Sequence, residues 1–430
     1  MNTFVEELTP YLVKKRREFH QYPEVGWTEY VTTYKIATEL SALGFSLAIG
    51  KEAIRSGERL GVPADSELEE AEERARQFGV PGEFLAKLKG GYTGLAASLD
   101  TGKVGKHMTL RFDIDALPIK ESKDAQHLPS KEGFASVREG VMHACGHDGH
   151  ITIGLGVAHY LSQVKNDLSG RFTLIFQPAE EGGKGAKSFV ENGWLDGTDY
   201  FISGHIGIHS LPVGEIAATT DKFLSSTKIN VEYKGKSAHS GLEPNKGKNA
   251  LLASAAAALH LNGITRHMDG ATRINTGKLE AGSGRNIIAE YARMEIETRG
   301  ETDELNEYMT GEALRIIQAS AGIYDVKVDT EIVGTAPIAL CNEEWVSIAK
   351  EASEKTTTVT NIIPSLPLGA SEDVAYMINH VQAQGGSASY LIFCSPLAAG
   401  HHHPSFDFDE QVLPTAVEMI SRMIELLQSR

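Results

Sequence analysis

The sequence predicts an α/β fold, with a catalytic-type unit built on a largely parallel sheet flanked by helices and a smaller α+β unit inserted into it. Three observations carry this expectation. Short apolar runs alternate with helical periodicity through much of the 430-residue chain, as strands buried on both faces do. Four of those runs lead into residues able to hold a metal ion, and ligands of open α/β sheets gather beyond the carboxyl ends of strands. Between about Asp221 and Thr335 the order becomes strand-helix-strand-strand-helix-strand, the split arrangement of ferredoxin-like units.

Helical periodicity covers Val5 to Phe19 and Val31 to Leu43, where Gly44 supplies a stop. Ile54 to Gly91 reads as an insert. Within it Ser66-Glu67-Leu68-Glu69 has the form of a capping box, opening a charged helix that runs to about Phe78 and ends at Gly79. A solvated structural helix is preferred there over a substrate cover. Strands follow at Leu95 to Leu99, Met108 to Phe112, Phe172 to Phe176, Tyr200 to Ser203 and Tyr390 to Phe393, with a helix over Ile151 to Gln163. The middle section supplies strand Lys228 to Tyr233, helix Asn249 to Leu261 and strands Arg273 to Leu279 and Tyr291 to Glu297. Helix Asp303 to Ala319 and strand Asp325 to Val333 complete it. Because the first pattern resumes at Tyr390, the chain divides into residues 1–220 with 336–430, and an inserted unit at 221–335.

Composition is that of an ordinary globular protein, 41% hydrophobic and 23% charged. The formal charge of −16 opposes nucleic-acid binding, which requires a basic patch to neutralise phosphates. The first twenty residues lack the apolar core of a secretory signal, and Ala250 to Leu261 is too short to span a bilayer. Cys145, Cys341 and Cys394 are odd in number and far apart, which argues against disulfides. A reduced, cytoplasmic protein without membrane contact is expected.

The densest chemistry lies in Met142-His143-Ala144-Cys145-Gly146-His147-Asp148-Gly149-His150. Thiolate, imidazole and carboxylate are transition-metal donors. Further donors follow other strands: Asp113 and Asp115, Glu180-Glu181, His205, and the run His401-His402-His403. Cys145 and His147 precede a helix that would cap the same edge. Cys145, His147, Glu181, His205 and one of His401 to His403 exceed what one tetrahedral ion with an open position can use, so two neighbouring ions fit better. Such a pair would activate water near neutral pH. Of Glu180 and Glu181, one can bind metal while the other accepts a proton. Nucleotide loops fail on spacing: Gly282-Ser283-Gly284-Arg285 lacks a third glycine and Gly182 to Ser188 is no P-loop. No Gly-x-Ser-x-Gly elbow occurs on a strand-to-helix turn.

Together "MHACGHDGH", "FQPAEEG", Gly204-His205, "GKSAHSG" at Gly235 to Gly241 and "HHPSFDFDE" resemble the di-metal amidohydrolases of the aminoacylase and carboxypeptidase type. The similarity spans nearly the whole chain and is closest to the branch that cleaves N-acyl and auxin-type amino acid conjugates. The insert, "GGYTG" and "AAGHHHPSFDFDEQVL" look most like its aminobenzoyl-glutamate hydrolases. The resemblance implies Cys145, His147, Glu181, His205 and His402 as metal ligands for two divalent ions, zinc or manganese. It implies Glu180 as general base and His239 as a group that reaches a partner's site to hold the oxyanion. It places Asp115 behind the ligands and Asn275 and Arg285 on the substrate carboxylate. The implied reaction is metal-dependent hydrolysis of an N-acyl amino acid, p-aminobenzoyl-glutamate foremost. The alternatives are hydrolysis of other N-acyl or benzoyl amino acids, or a metal-binding chain that is inactive by itself. The inserted unit is then a dimerisation domain or lid, and the partner a second copy or a related subunit.

Overall fold

The computed structural model describes residues 2–428, with side chains from Phe4 onward. Helices α1 (Asn2–Gln21) and α2 (Tyr30–Ala42) precede strand β1 (Ser46–Ile49), then α3 (Asp65–Phe78) and α4 (Gly82–Leu88) lead to β2 (Leu95–Asp100) and β3 (His107–Asp113). Next come α5 (Leu128–Glu132), α6 (His147–Val164), β4 (Arg171–Gln177), α7 (Ala186–Val190), β5 (Tyr200–Ile206) and β6 (Glu215–Asp221). The middle holds β7 (Ser225–Lys234), α8 (Ala250–Asn262), β8 (Thr272–Ala281), β9 (Tyr291–Gly300), α9 (Asp303–Ile323) and β10 (Lys327–Ala336). The chain closes with α10 (Glu344–Ser353), β11 (Asn361–Pro367), α11 (Val374–Ala383), β12 (Ser387–Phe393) and α12 (Val412–Gln428).

Eight strands form one sheet in the order β1-β2-β4-β3-β5-β12-β6-β11. The run β4-β3-β5-β12 is parallel, as is β6-β11, whereas β1-β2, β2-β4 and β12-β6 are antiparallel. The expectation of a largely parallel sheet therefore holds at the centre and not at the flanks. The reason is local: residues 207–214 join β5 to β6 without a helix, too short for the crossover a parallel neighbour needs. Strands β3 and β12 are buried along their full lengths; β12 ends in the apolar run Tyr390 to Phe393, whereas β3 interleaves its apolar residues with buried Thr109 and Arg111. On one face α1, α6 and α12 pack around Leu12, Phe112, Leu155 and Val417; on the other Trp27, Phe189, Phe201 and Met377 meet Tyr390. Each such side chain stabilises the fold by roughly 1.5–3 kcal/mol. Gly154 in α6 permits this approach, since a Cβ there would lie 2.7 Å from the Phe112 ring.

The insert departs from the sequence expectation at one point. Helix α3 begins at Asp65 with Ala64 as N-cap and no side-chain cap bond, so Ser66-Glu67-Leu68-Glu69 is not a capping box. Asp65 and Glu67 occupy the first turn, where carboxylates offset the positive end of the helix dipole, and the helix extends upstream of the serine. Gly79 closes it in the left-handed conformation, φ 102°. Leu68, Ala71 and Ala75 are buried, Ala71 and Ala75 packing with Tyr30 and Val31 of α2. The insert is therefore bound to the main body.

Strands β10-β7-β9-β8 form a second sheet, antiparallel throughout. Helices α8 and α9 cover it over Tyr233, Leu261, Met294, Met309 and Ile317. Asn249 and Thr302 cap these helices, accepting from Leu252 N at 3.1 Å and Leu305 N at 3.3 Å. The second sheet joins the main body where Thr335 N donates to Gly183 O (2.8 Å) and the hydroxyls of Thr335 and Tyr376 meet at 2.7 Å.

Candidate metal centre

The centre assembles at the carboxyl edge of β3, β4, β5 and β12. Cys145 lies just before α6 and His147 is that helix's first residue, so the helix begins four residues earlier than the Ile151 of the sequence pattern and takes in the histidine expected ahead of it. Gly146, at φ 93°, lets the chain turn sharply between them. His147 Nδ1 donates to the Asp115 carbonyl at 2.9 Å, and His205 Nδ1 donates to the Ile206 carbonyl at 2.9 Å. Carbonyls only accept, so Nδ1 carries a proton in both rings and Nε2 is the nitrogen turned toward the site. His205 Nε2 lies 3.4 Å from Cys145 Sγ. His402 Nε2 lies 3.4 Å from Glu181 Oε1.

Donor atoms of Cys145, His147 and His205 lie within 4.8 Å of one another, and so do those of Cys145, Glu181 and His402. The two triplets share Cys145, so they outline two adjacent positions. His147 Nε2 and Glu181 Oε1 are buried without a hydrogen-bond partner, which is costly unless something else satisfies them. The residues present thus fit a pair of divalent ions. Cys145 and then Glu181 push His402 up to about 10, whereas burial holds His205 well below the usual imidazole range.

Glu180 and Glu181 stand on the turn after β4, with Ala179 at φ 52°. Asp115 holds that turn: its two carboxylate oxygens accept from Glu180 N and Glu181 N, each at 3.0 Å. The aspartate therefore positions both glutamates and, through its carbonyl, His147. Glu180 is buried, and burial followed by the Glu372 and Glu181 carboxylates raises its pKa well above the usual range.

The structure does not bring every expected residue here. A cavity of about 530 Å³ is lined by Cys145, Glu180, Glu181, His205, Glu372 and His402, together with Lys228, Glu297 and Arg299 from the second sheet. His239 and Arg285 are exposed and outside it; His239 Nδ1 accepts from Gly241 N and Leu242 N. Asn275 lines an adjoining groove that shares Lys228 and Glu297 with the cavity. His401 also lines the cavity, with Nδ1 3.7 Å from Cys145 Sγ.

Several participants lie outside the expected ligand set. His150 Nε2 accepts from Ile206 N at 2.9 Å and its Nδ1 donates to Asp113 at 2.5 Å, locking α6 to β5. Arg111, fully buried, donates to Asp113, Gln177, Glu372 and Asp373. Glu372 follows β11, an edge strand containing Pro364 and Pro367. Proline is tolerated at a sheet edge but hides the strand from pattern reading. Lys228, Glu297 and Arg299 look in sequence like the polar side of alternating strands, and nothing local marks them.

A metal-ready cluster on the carboxyl edge of an α/β sheet, with a buried carboxylate beside it, is the make-up of a metal-dependent hydrolase. The model of peptidase family M20/M25/M40 matches residues 109–426. One of the subunits of p-aminobenzoyl-glutamate hydrolase from Escherichia coli (strain K12) is 44% identical over 98% of this chain and 97% of that protein. The indole-3-acetyl-aspartic acid hydrolase of Enterobacter agglomerans is 41% identical over 98% and 97%. The crystal structure of an aminobenzoyl-glutamate utilization protein from Klebsiella pneumoniae superposes with a TM-score of 0.83 at 36% identity, covering 98% of this chain and 97% of that one. The chain belongs to peptidase family M20/M25/M40.

Proposed function

We propose that this protein hydrolyses the amide bond of N-acyl amino acids, with p-aminobenzoyl-glutamate as its substrate, giving p-aminobenzoate and glutamate. The observation that carries the reading is the pair of donor triplets sharing Cys145 with Glu180 alongside. Cys145, His147, Glu181, His205 and His402 would hold two divalent ions, and the thiolate favours zinc over manganese. Ions bound there supply the Lewis acidity that makes water nucleophilic near neutral pH and polarises an amide carbonyl. Glu180 accepts the proton of the attacking water and passes it to the leaving amine. Its position supports that shuttle, because its carboxylate lies with donor atoms of His147 and Glu181 within 4.8 Å of one another. Asp115 keeps Glu180 and Glu181 in register throughout.

Residues 221–335 are proposed as a dimerisation or lid domain carried by a main body of 1–220 and 336–430. Leu251, Leu252 and Leu259 on α8 are exposed apolar side chains, which supports a partner on that face. His239 would then act in the partner's site, holding the oxyanion, and Arg285 and Asn275 would meet the substrate carboxylate in the assembled protein. The Escherichia coli relative is named as one subunit of its enzyme, which makes a related second chain the alternative to a second copy. No described helix is long and apolar enough to cross a membrane.

The test is release of glutamate from p-aminobenzoyl-glutamate by the purified protein, before and after chelation and after return of zinc or manganese. Glutamate release that chelation abolishes and metal restores is expected. A protein loaded with metal that releases none, by itself or with a related chain, overturns the reading.

A further inference from the structure

The cavity has two unlike walls. The main body contributes His205, His401 and His402 with the carboxylates of Glu180, Glu181 and Glu372. Facing them, the second sheet contributes Lys228 from β7 and Arg299 from β9, the only lysine and arginine among the described lining residues. Lys228 pairs with Glu297 across the β7-β9 ladder, and Arg299 pairs with Ser226 two places along, which puts all three on one face. Arg299 is held by Glu297: its Nε and Nη2 each donate to that carboxylate at 3.1 Å. Lys228 Nζ donates to Ser226 Oγ at 2.7 Å and stands 3.6 Å from Glu297.

The charge count on this wall does not close. On this face one carboxylate, Glu297, meets two cations; burial lowers the Lys228 pKa, Glu297 raises it, Arg299 lowers it, and Glu180 and Asp373 of the main body raise it less strongly. A net positive charge on this half-buried face is stabilised by an incoming anion. Ions held on the opposite wall would engage the amide carbonyl, and a carboxylate elsewhere on the substrate would meet Lys228 and Arg299, the lysine and arginine among the described lining residues. A guanidinium already oriented by Glu297 keeps free N–H groups for that carboxylate, and charge-assisted bonds of this kind are the stronger ones.

Resting on the hydrolase reading above, we propose that Lys228 and Arg299 bind the side-chain carboxylate of an acidic amino acid in the leaving position. The enzyme thereby selects N-acyl glutamate and N-acyl aspartate over neutral N-acyl amino acids. The names of the two relatives, one a glutamate conjugate and the other an aspartate conjugate, share that second carboxylate.

The experiment compares p-aminobenzoyl-glutamate with p-aminobenzoyl-glutamine, which differ only in side-chain charge, on the full-length metal-loaded protein. The wild type is expected to favour glutamate by at least about tenfold in kcat/KM. In Lys228→Met and Arg299→Met that ratio should fall by about ten- to a hundredfold, chiefly through the KM for glutamate. Lys228→Arg and Arg299→Lys should retain most of it. If the methionine variants do not fold, free glutamate should still inhibit the wild type at a concentration at least about tenfold below that of free glutamine. A wild type that cleaves both substrates alike, or variants with an unchanged ratio, or equal inhibition by the two amino acids, overturns the assignment and leaves the hydrolase reading standing. A wild type that cleaves neither overturns both.

Discussion

Glu180 carries the sharpest prediction at the scale of single residues. Glu180→Gln keeps the shape and removes the proton acceptor, so kcat should fall by about two to four orders of magnitude. Elemental analysis should find its metal content unchanged; a variant that keeps its turnover would mean another base. Asp115 acts one step back. Asp115→Ala releases the two backbone N–H groups of the Glu180-Glu181 turn, and ion affinity in a titration should weaken by about ten- to a hundredfold. At the opposite end of β3, burial and then Arg171 lower the His107 pKa to about 4. The folded protein therefore resists protonating this ring, whereas the unfolded chain accepts a proton near 6.5. The stability tied to His107 is present above 6.5 and is lost as pH falls from there to about 4. Urea midpoints of His107→Gln should drop less steeply over that window than those of the wild type; parallel curves would exclude the ring as a contributor.

Among the elements, α1 fixes the helix that carries His147. Arg16, fully buried on α1, donates to Asp148 in the first turn of α6 at 2.9 Å and to Asp407 before α12 at 2.5 Å. His20 adds a 2.8 Å bond to the same Asp148. Arg16→Met would strand two buried carboxylates, and the expected cost is about 3–5 kcal/mol in denaturant unfolding. Elements of this kind are visible in the sequence where burial is one-sided or complete: α2 over Tyr30–Ala42 and β3 fall within one residue of the expected bounds, and β12 starts three residues before them. Short β1 and proline-bearing β11 are not visible, because pairing at a sheet edge and not side-chain pattern makes them strands. The cap of α3 misleads because Asp65 satisfies the dipole earlier than the serine motif suggests.

Across the whole molecule, the candidate donors can be read because Glu181, His205 and His402 follow strands that the apolar pattern reveals, while Cys145 and His147 stand at the start of α6, and the sheet supplies the convergence. The cationic wall cannot be read, since its significance comes from a second sheet facing the first. Assembly offers the remaining prediction. If His239 completes a neighbour's site, co-expressing Glu180→Gln with His239→Ala chains should recover about a quarter of wild-type activity through mixed dimers. No recovery would confine catalysis to one chain. The junction of the two sheets has its own consequence. A Cβ on Gly334 would stand 1.9 Å from the Gly182 oxygen, directly beside the Glu180-Glu181 turn. Gly334→Ala should therefore damage turnover although it touches neither ion ligand nor substrate. Any attempt to transplant a foreign module onto this scaffold, or to trim the native one away, would have to conserve that single hydrogen atom.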